Sequence, residues 1–233
     1  MKYKSGLFCA FVLFWFAMAN QASAARQMYE PMAESVRLAM RTSLEGNRVP
    51  YPIFDSAAQR IDWLSTMSGR LVRKVPNFGQ RLALIKTIRY EAQRAGLDPQ
   101  LVFAVIQVES GFQPRVSSSA GAMGLMQVMP FWTDLLGDGN SQALLDPRIN
   151  IRYGCVILRH YLDMERGDLD RALQRYNGSL GKPDYSDLVL NTLRVRWAYH
   201  EPESIKREAR RELQASGRPS SGNMPALASA GHP

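Results

Sequence analysis

The chain has 233 residues, 45% of them hydrophobic, and a formal net charge of +8. That length is enough for one sizeable domain with an extension. The basic excess suits an anionic partner such as the cell wall or an outer membrane surface; no basic stripe carries a nucleic-acid motif, and the three histidines and two cysteines are too scattered for a metal site.

The chain starts with Lys2 and Lys4, continues with the apolar run Gly6 to Ala19, and reaches the small-residue site Ala22-Ser23-Ala24. This is the three-part pattern of a secretory signal peptide over residues 1–24, with cleavage expected after Ala24. The expected mature protein is periplasmic and has 209 residues, a charge of +6 and no stable membrane span, because no second long apolar run follows. Cys155 is then its only cysteine, so no intrachain disulfide can form, and its apolar helical setting predicts a buried small hydrophobe.

From there the apolar spacing is helical nearly everywhere. A helical N-terminal extension is expected over residues 25–80. Its first helix carries Met28, Met32, Val36, Met40 and Leu44 on one face and stops at Gly46. After the break Pro50-Tyr51-Pro52, Asp55 is the expected cap of a second helix facing inward with Ala58, Ile61, Leu64 and Leu71.

The main domain is expected over residues 81–200. Its helices begin with one from about Gln80 to Ala95, with Leu82, Ile85, Ile88 and Ala92 inward. Asp98-Pro99 reads as a cap and first helical residue, opening an apolar, central helix that ends at Glu109. Pro130 to Leu136 reads as a short helix. Asp146-Pro147 repeats the cap-plus-proline start for a helix to about Met164 with His160 on a mostly apolar face, and Asp168 caps one through Arg175. A last helix is expected from Asp184 or Ser186 to Tyr199. Residues 201–233 read as a tail, first charged and then disordered from Ser216. The fold class is therefore all-α.

Glu109-Ser110 carries the chemistry. It ends the apolar stretch Leu101 to Val108, and about a dozen residues later comes Gly121-Ala122-Met123-Gly124-Leu125-Met126-Gln127-Val128-Met129-Pro130. A carboxyl group in apolar surroundings has its charged form disfavoured, so its pKa rises, and an acid still protonated near neutrality can donate a proton to a glycosidic oxygen.

Four motifs in register carry a resemblance: Glu109-Ser110 with Ser118, the glycine-rich run through Pro130, Asp146-Pro147 with Asn150-Ile151 and Gly154, and Tyr176-Asn177-Gly178. Over roughly Leu84 to Ala198 this resembles the catalytic domain of the soluble lytic transglycosylase family. The resemblance implies a lysozyme-like helical domain and a substrate of peptidoglycan glycan strands, cut between N-acetylmuramic acid and N-acetylglucosamine with closure of a 1,6-anhydro ring. It implies Glu109 as the catalytic residue and Ser118, Gln127, Met129, Tyr176, Asn177 and Tyr185 as substrate-binding residues, with no cofactor and no metal.

The chemistry agrees with a single carboxylate. A hydrolase of this bond needs two, whereas a transglycosylase attacks with the substrate's own sixth-carbon hydroxyl, so one glutamate can act as acid and then as base. The intramolecular attack also gains from high effective concentration. Asp134 and Asp138 read as solvated groups. Phe112, Phe131 and Trp132 suit either core packing or stacking on sugars. Gly121 and Gly124 would let the backbone pass close to a sugar. The loop Gly178-Ser179-Leu180-Gly181-Lys182-Pro183 departs from the family's usual Ala-Gly-Pro-Gly. Two other readings remain at this point: a goose-type lysozyme-like hydrolase of the same bond, and a non-catalytic peptidoglycan-binding assembly factor.

Overall fold

The computed structural model describes residue 27 and residues 31–45 and 52–216. The expected signal peptide, the breaks at Gly46 and Pro50-Tyr51, and the tail beyond Ser216 lie outside the described residues.

Nine α-helices follow one another among the described residues: α1 (Glu34–Leu44), α2 (Ala57–Leu71), α3 (Phe78–Arg94), α4 (Pro99–Ser110), α5 (Phe131–Leu136), α6 (Pro147–Met164), α7 (Leu169–Asn177), α8 (Asp184–Thr192) and α9 (Glu203–Ser216). A 3₁₀ turn, Ser141–Leu145, precedes α6, and a π turn, Leu193–Trp197, follows α8. No strand forms among the described residues, and the only extended pairing is two isolated antiparallel bridges, Ser117 with Met123 and Met123 with Val128. The fold is all-α. Helix α3 straddles the boundary expected at residues 80 and 81.

The sequence explains the starts of most helices. Asp98, Asp146 and Asp168 accept hydrogen bonds from backbone N–H groups of the first turns of α4, α6 and α7, satisfying donors with no partner inside the helix. Pro99 and Pro147 stand at the first helical positions, where a missing N–H costs nothing. Helix α2 differs from expectation: its cap is Ser56, which accepts from Gln59 N, while Gln59 Oε1 accepts from Asp55 N. The inward face of α2 is Trp63, Met67 and Leu71, and Ile61 points out at 65% exposure.

Helix α4 is the centre of the core. Leu101 through Ile106 are all buried, enclosed by α3, α8 and the π turn. Phe103 stacks on Trp197 with centroids 4.8 Å apart, and Trp63 and Phe112 flank it. Phe112 and Trp132 are both buried, so the core takes these two aromatics. Cys155 is buried in α6.

The N-terminal helices are fastened by polar clamps. Glu91, only 2% exposed, pairs with Arg94 and Arg152. These two arginines donate to the carbonyls of Ser43, Glu45 and Leu44 at the C-terminal end of α1. Cations at that end also complement the helix dipole. Arg89 donates to the Ile53 carbonyl and lies 4.0 Å from the Phe54 ring. At the other end of the chain the charged segment after Glu201 is helical: α9 packs against α2 through a face that includes the buried Ala209.

Candidate active site

Glu109 occupies the last turn of α4, followed by two residues in the left-handed region, Gly111 at φ 57° and Phe112 at φ 70°. The tight exit is affordable for glycine and is enforced at Phe112 by its burial against Phe103 and Trp197. It reverses the chain after the glutamate, so that the glycine-rich loop returns against α4.

Three side chains fasten that loop. Ser110 donates to the Leu125 carbonyl at 2.8 Å. Tyr176, fully buried, donates to the Met126 carbonyl at 2.7 Å. Asn150, also fully buried, accepts from Met126 N at 2.7 Å and donates to the carbonyls of Met123 and Leu144 at 2.8 Å each. Every polar valence of the Asn150 amide nitrogen is therefore used on this loop and its neighbour. A Cβ on Gly124 would lie 2.4 Å from Asn150 Nδ2 and 2.5 Å from the Leu144 carbonyl oxygen, at φ +75°. The glycine is required here by close packing within the protein. Gly154 plays the same part on α6, where a Cβ would meet Met126 Sδ at 2.4 Å.

Among the described residues the carboxyl of Glu109 is held by one hydrogen bond: Tyr185, buried in the first turn of α8, donates to Oε1 at 2.5 Å. Desolvation pushes the Glu109 pKa up to about 8, and the Tyr185 hydrogen bond pulls in the opposite direction by favouring the charged form. The residue keeps some surface in contact with solvent, yet the carboxyl is packed deeply enough for desolvation to dominate. Burial, reinforced by Glu109, holds the Tyr185 and Tyr176 hydroxyls well above the usual phenol range, so both stay protonated as donors.

The remaining residues singled out from sequence lie along the same loop and helices. Ser118 Oγ accepts from Ala122 N at 3.0 Å, and its own hydrogen is uncommitted among the described residues. Gln127 is buried in the left-handed region at φ 47°, its Nε2 donating to the carbonyls of Gly124 and Val116. Met129 is half-buried, and its backbone N–H donates to Gln27 Oε1. Asn177 ends α7, with Oδ1 buried and unpartnered among the described residues. Asp134 is exposed, as is Asp138. Asn150 and Gln27 are the participants that sequence reading missed. Asn150 stood in a quoted motif, but a buried amide reads like any helical asparagine until its partners are known.

A cavity of about 600 Å³ lies elsewhere, under α1. Glu91, Arg94, Arg152, Arg159, His160 and Asp163 contribute its polar lining, and Arg94 and Arg152 are already committed to Glu91 and the α1 carbonyls. No group of three or more His, Cys, Asp or Glu side chains among the described residues is arranged to hold a metal ion.

Residues 86–185 match the family model described as the transglycosylase SLT domain. Over that stretch the chain is similar to the transglycosylase SLT domain family. Three relatives place it among known proteins. A transglycosylase of Enterobacteria phage PRD1 is 41% identical over 100 residues, covering 43% of this chain and 36% of the phage protein. Membrane-bound lytic murein transglycosylase C of Haemophilus influenzae is 38% identical over 88 residues, covering 33% of this chain and 25% of the relative. The protein of that name in Edwardsiella ictaluri is 26% identical over 183 residues, 70% of this chain and 51% of the relative. The chain thus spans a quarter to about half of the length of these relatives. The SLT match contains Glu109, Ser118, Gln127, Met129, Asn150, Tyr176, Asn177 and Tyr185. No helix among the described residues is long and apolar enough to cross a membrane.

Proposed function

We propose that this protein is a peptidoglycan lytic transglycosylase in which Glu109 acts as acid and then as base. The observation that carries the reading is the state of Glu109: a desolvated carboxyl holding its proton up to about pH 8, with the Tyr185 hydroxyl on Oε1. In the first half of the reaction Glu109 gives its proton to the oxygen linking N-acetylmuramic acid to N-acetylglucosamine, and the C1–O bond breaks. The resulting carboxylate keeps the Tyr185 hydrogen bond, which favours the charged form formed at this moment. The substrate's acetamido group stabilises the cationic C1. In the second half the sixth-carbon hydroxyl of the same muramic residue attacks C1 while Glu109 takes its proton, which closes the 1,6-anhydro ring and restores the acid. No water and no second carboxylate enter.

The glycan-binding roles follow the free polar atoms. Ser118 offers its uncommitted hydroxyl hydrogen, Asn177 its unpartnered Oδ1, and Gln127 its Oε1, since Nε2 is taken by the loop. Tyr176 holds the loop that carries Met129, which meets the sugar, and Tyr185 tunes the acid. The relatives' names as murein transglycosylases support peptidoglycan as the substrate and the cell envelope as the place of action. The apolar N-terminal run with its Ala22-Ser23-Ala24 site supports the periplasm.

Mass spectrometry of peptidoglycan digested by the protein tests this. Anhydromuramic ends are expected; reducing ends would make it a hydrolase, and intact strands would make it a binding protein.

A further inference from the structure

We propose that Gln174 is a positioning residue for the acid: by holding the loop between α7 and α8, it sets where Tyr185 stands against Glu109. The inference rests on the transglycosylase reading and deepens it. The loop Gly178-Ser179-Leu180-Gly181-Lys182-Pro183 joins two residues of the candidate site, Asn177 at the end of α7 and Tyr185 in the first turn of α8. Residues 180–184 are all exposed, so little burial holds the loop in place. Gly178 at φ 72° and Gly181 at φ 85° are also the residue type that loses most backbone freedom on being fixed. Hydrogen bonds have to supply the order.

Gln174 supplies them from inside the protein, where it is only 5% exposed. Its backbone carbonyl accepts from Ser179 N and its Oε1 from Gly181 N, both at 2.8 Å. Its Nε2 donates to Asp170 Oδ2 at 2.7 Å, which fixes the plane of the amide, and lies 3.5 Å from Oγ of the fully buried Ser186. Ser186 in turn donates to the Pro183 carbonyl at 3.0 Å, the same oxygen that takes Asp187 N at 2.8 Å. Helix α8 has no side-chain cap, so these bonds define its start, and Tyr185 stands between Pro183 and Ser186. The Tyr185 bond to Glu109 Oε1 is only 2.5 Å long, and such bonds weaken steeply once misaligned. Loosening the start of α8 therefore withdraws the contact that favours the carboxylate, and the acid titrates higher. Tyr176 is the other titratable group facing Glu109, from α7, and it is held separately by the Met126 carbonyl.

The test titrates the labelled Glu109 carboxyl carbon by NMR in the full chain without substrate. The parent is compared with Gln174→Met, Tyr185→Phe and the double variant. Methionine keeps the bulk of Gln174 and removes its side-chain hydrogen bonds. Gln174→Met should raise the Glu109 midpoint by about half a pH unit or more, in the same direction as Tyr185→Phe. In the Tyr185→Phe background it should add about 0.2 unit or less, because both changes act through one bond. A purely structural role for Gln174 would lower the melting temperature and leave the midpoint in place. An unmoved midpoint therefore overturns the proposal, as does an equal rise in the Tyr185→Phe background. Should Gln174→Met fail to fold, amide exchange in the parent decides: the Gly181 N–H should exchange about tenfold or more slowly than that of Leu180. Equal rates overturn the proposal. None of these results touches the transglycosylase reading, which stands or falls on whether the parent protein forms anhydro ends.

Discussion

Tyr185 donates its hydroxyl to Glu109 Oε1 at 2.5 Å, joining the first turn of α8 to the last turn of α4. The bond opposes the desolvation that raises the Glu109 pKa to about 8. Removing it with Tyr185→Phe leaves burial unopposed, so the pKa rises further and the alkaline limb of the pH–rate profile moves to higher pH. The same change removes a donor to the carboxylate formed during catalysis, so kcat should fall about tenfold or more, the worth of a hydrogen bond to a charged group. A limb that shifts to lower pH would contradict this account.

Glu109→Gln keeps the shape of the side chain and removes its proton. Release of anhydro products should fall by about 10³-fold or more, the scale expected when a positioned acid-base group is lost. In the parent protein, kcat/KM should decline as pH rises through about 8, because only the protonated acid starts the reaction. Rates measured from pH 5 to 10 on both proteins check these two expectations together.

Stability carries the same signature with a definite sign. Glu109 has its folded-state pKa raised from 4.5 to about 8, so between those values the folded chain holds a proton that the unfolded chain has released. Stability from this group is complete below about pH 4.5 and is lost progressively as pH rises to about 8. Glu109→Gln removes that loss. Thermal melts should show the variant gaining on the parent across this window, and parallel curves would count against the buried acid.

Asn150 and Gly124 form a matched pair. Asn150→Ala leaves Met126 N and the carbonyls of Met123 and Leu144 without partners, which should cost about 3 kcal/mol in chemical denaturation. Gly124→Ala forces a Cβ against Asn150 and Leu144 in a left-handed conformation and should destabilise by about 2 kcal/mol or more. Because the two residues touch, the double variant should be less unstable than the sum of the singles.

Glu91→Ala would leave Arg94 and Arg152 part-buried without their shared carboxylate. A loss of about 3 kcal/mol is expected, as for other broken buried pairs. Hydrogen exchange should show the release first in the C-terminal turn of α1, whose carbonyls these arginines hold.

The aspartate caps at Asp98, Asp146 and Asp168 were legible because a cap is a local event, settled within three residues. The central burial of α4 was legible for a similar reason: a helix apolar all round has nowhere else to go. The second helix misled at its start and on its face. Both Asp55 and Ser56 can cap, and the choice falls to Ser56 because Gln59 N bonds to it while the Gln59 side chain takes Asp55 N. Its buried face turns on Trp63, which Phe54, Arg89 and Phe103 enclose from distant parts of the chain. Charge alone made residues 203–216 look like a plain tail, but α9 needs only a narrow face, including Ala209, to sit on α2. Near the site, the motifs drew notice to Glu109 and Tyr176, and the resemblance to Tyr185, whose hydroxyl lies on Glu109. Asn150 and Gln27 act through backbone groups 24 and 102 residues away, and no local pattern encodes such partners.

The grip on α1 falls on main-chain carbonyls, those of Ser43, Leu44 and Glu45, and every peptide chain offers the same atoms. What Arg94 and Arg152 specify is where a helix must stop, not what it is made of. The outer face of α1, with Leu38 already 62% exposed, is consequently free to change composition without loosening its attachment. Sequence comparison should therefore find Glu91, Arg94 and Arg152 better retained across relatives that keep this helix than the helix's own outward residues.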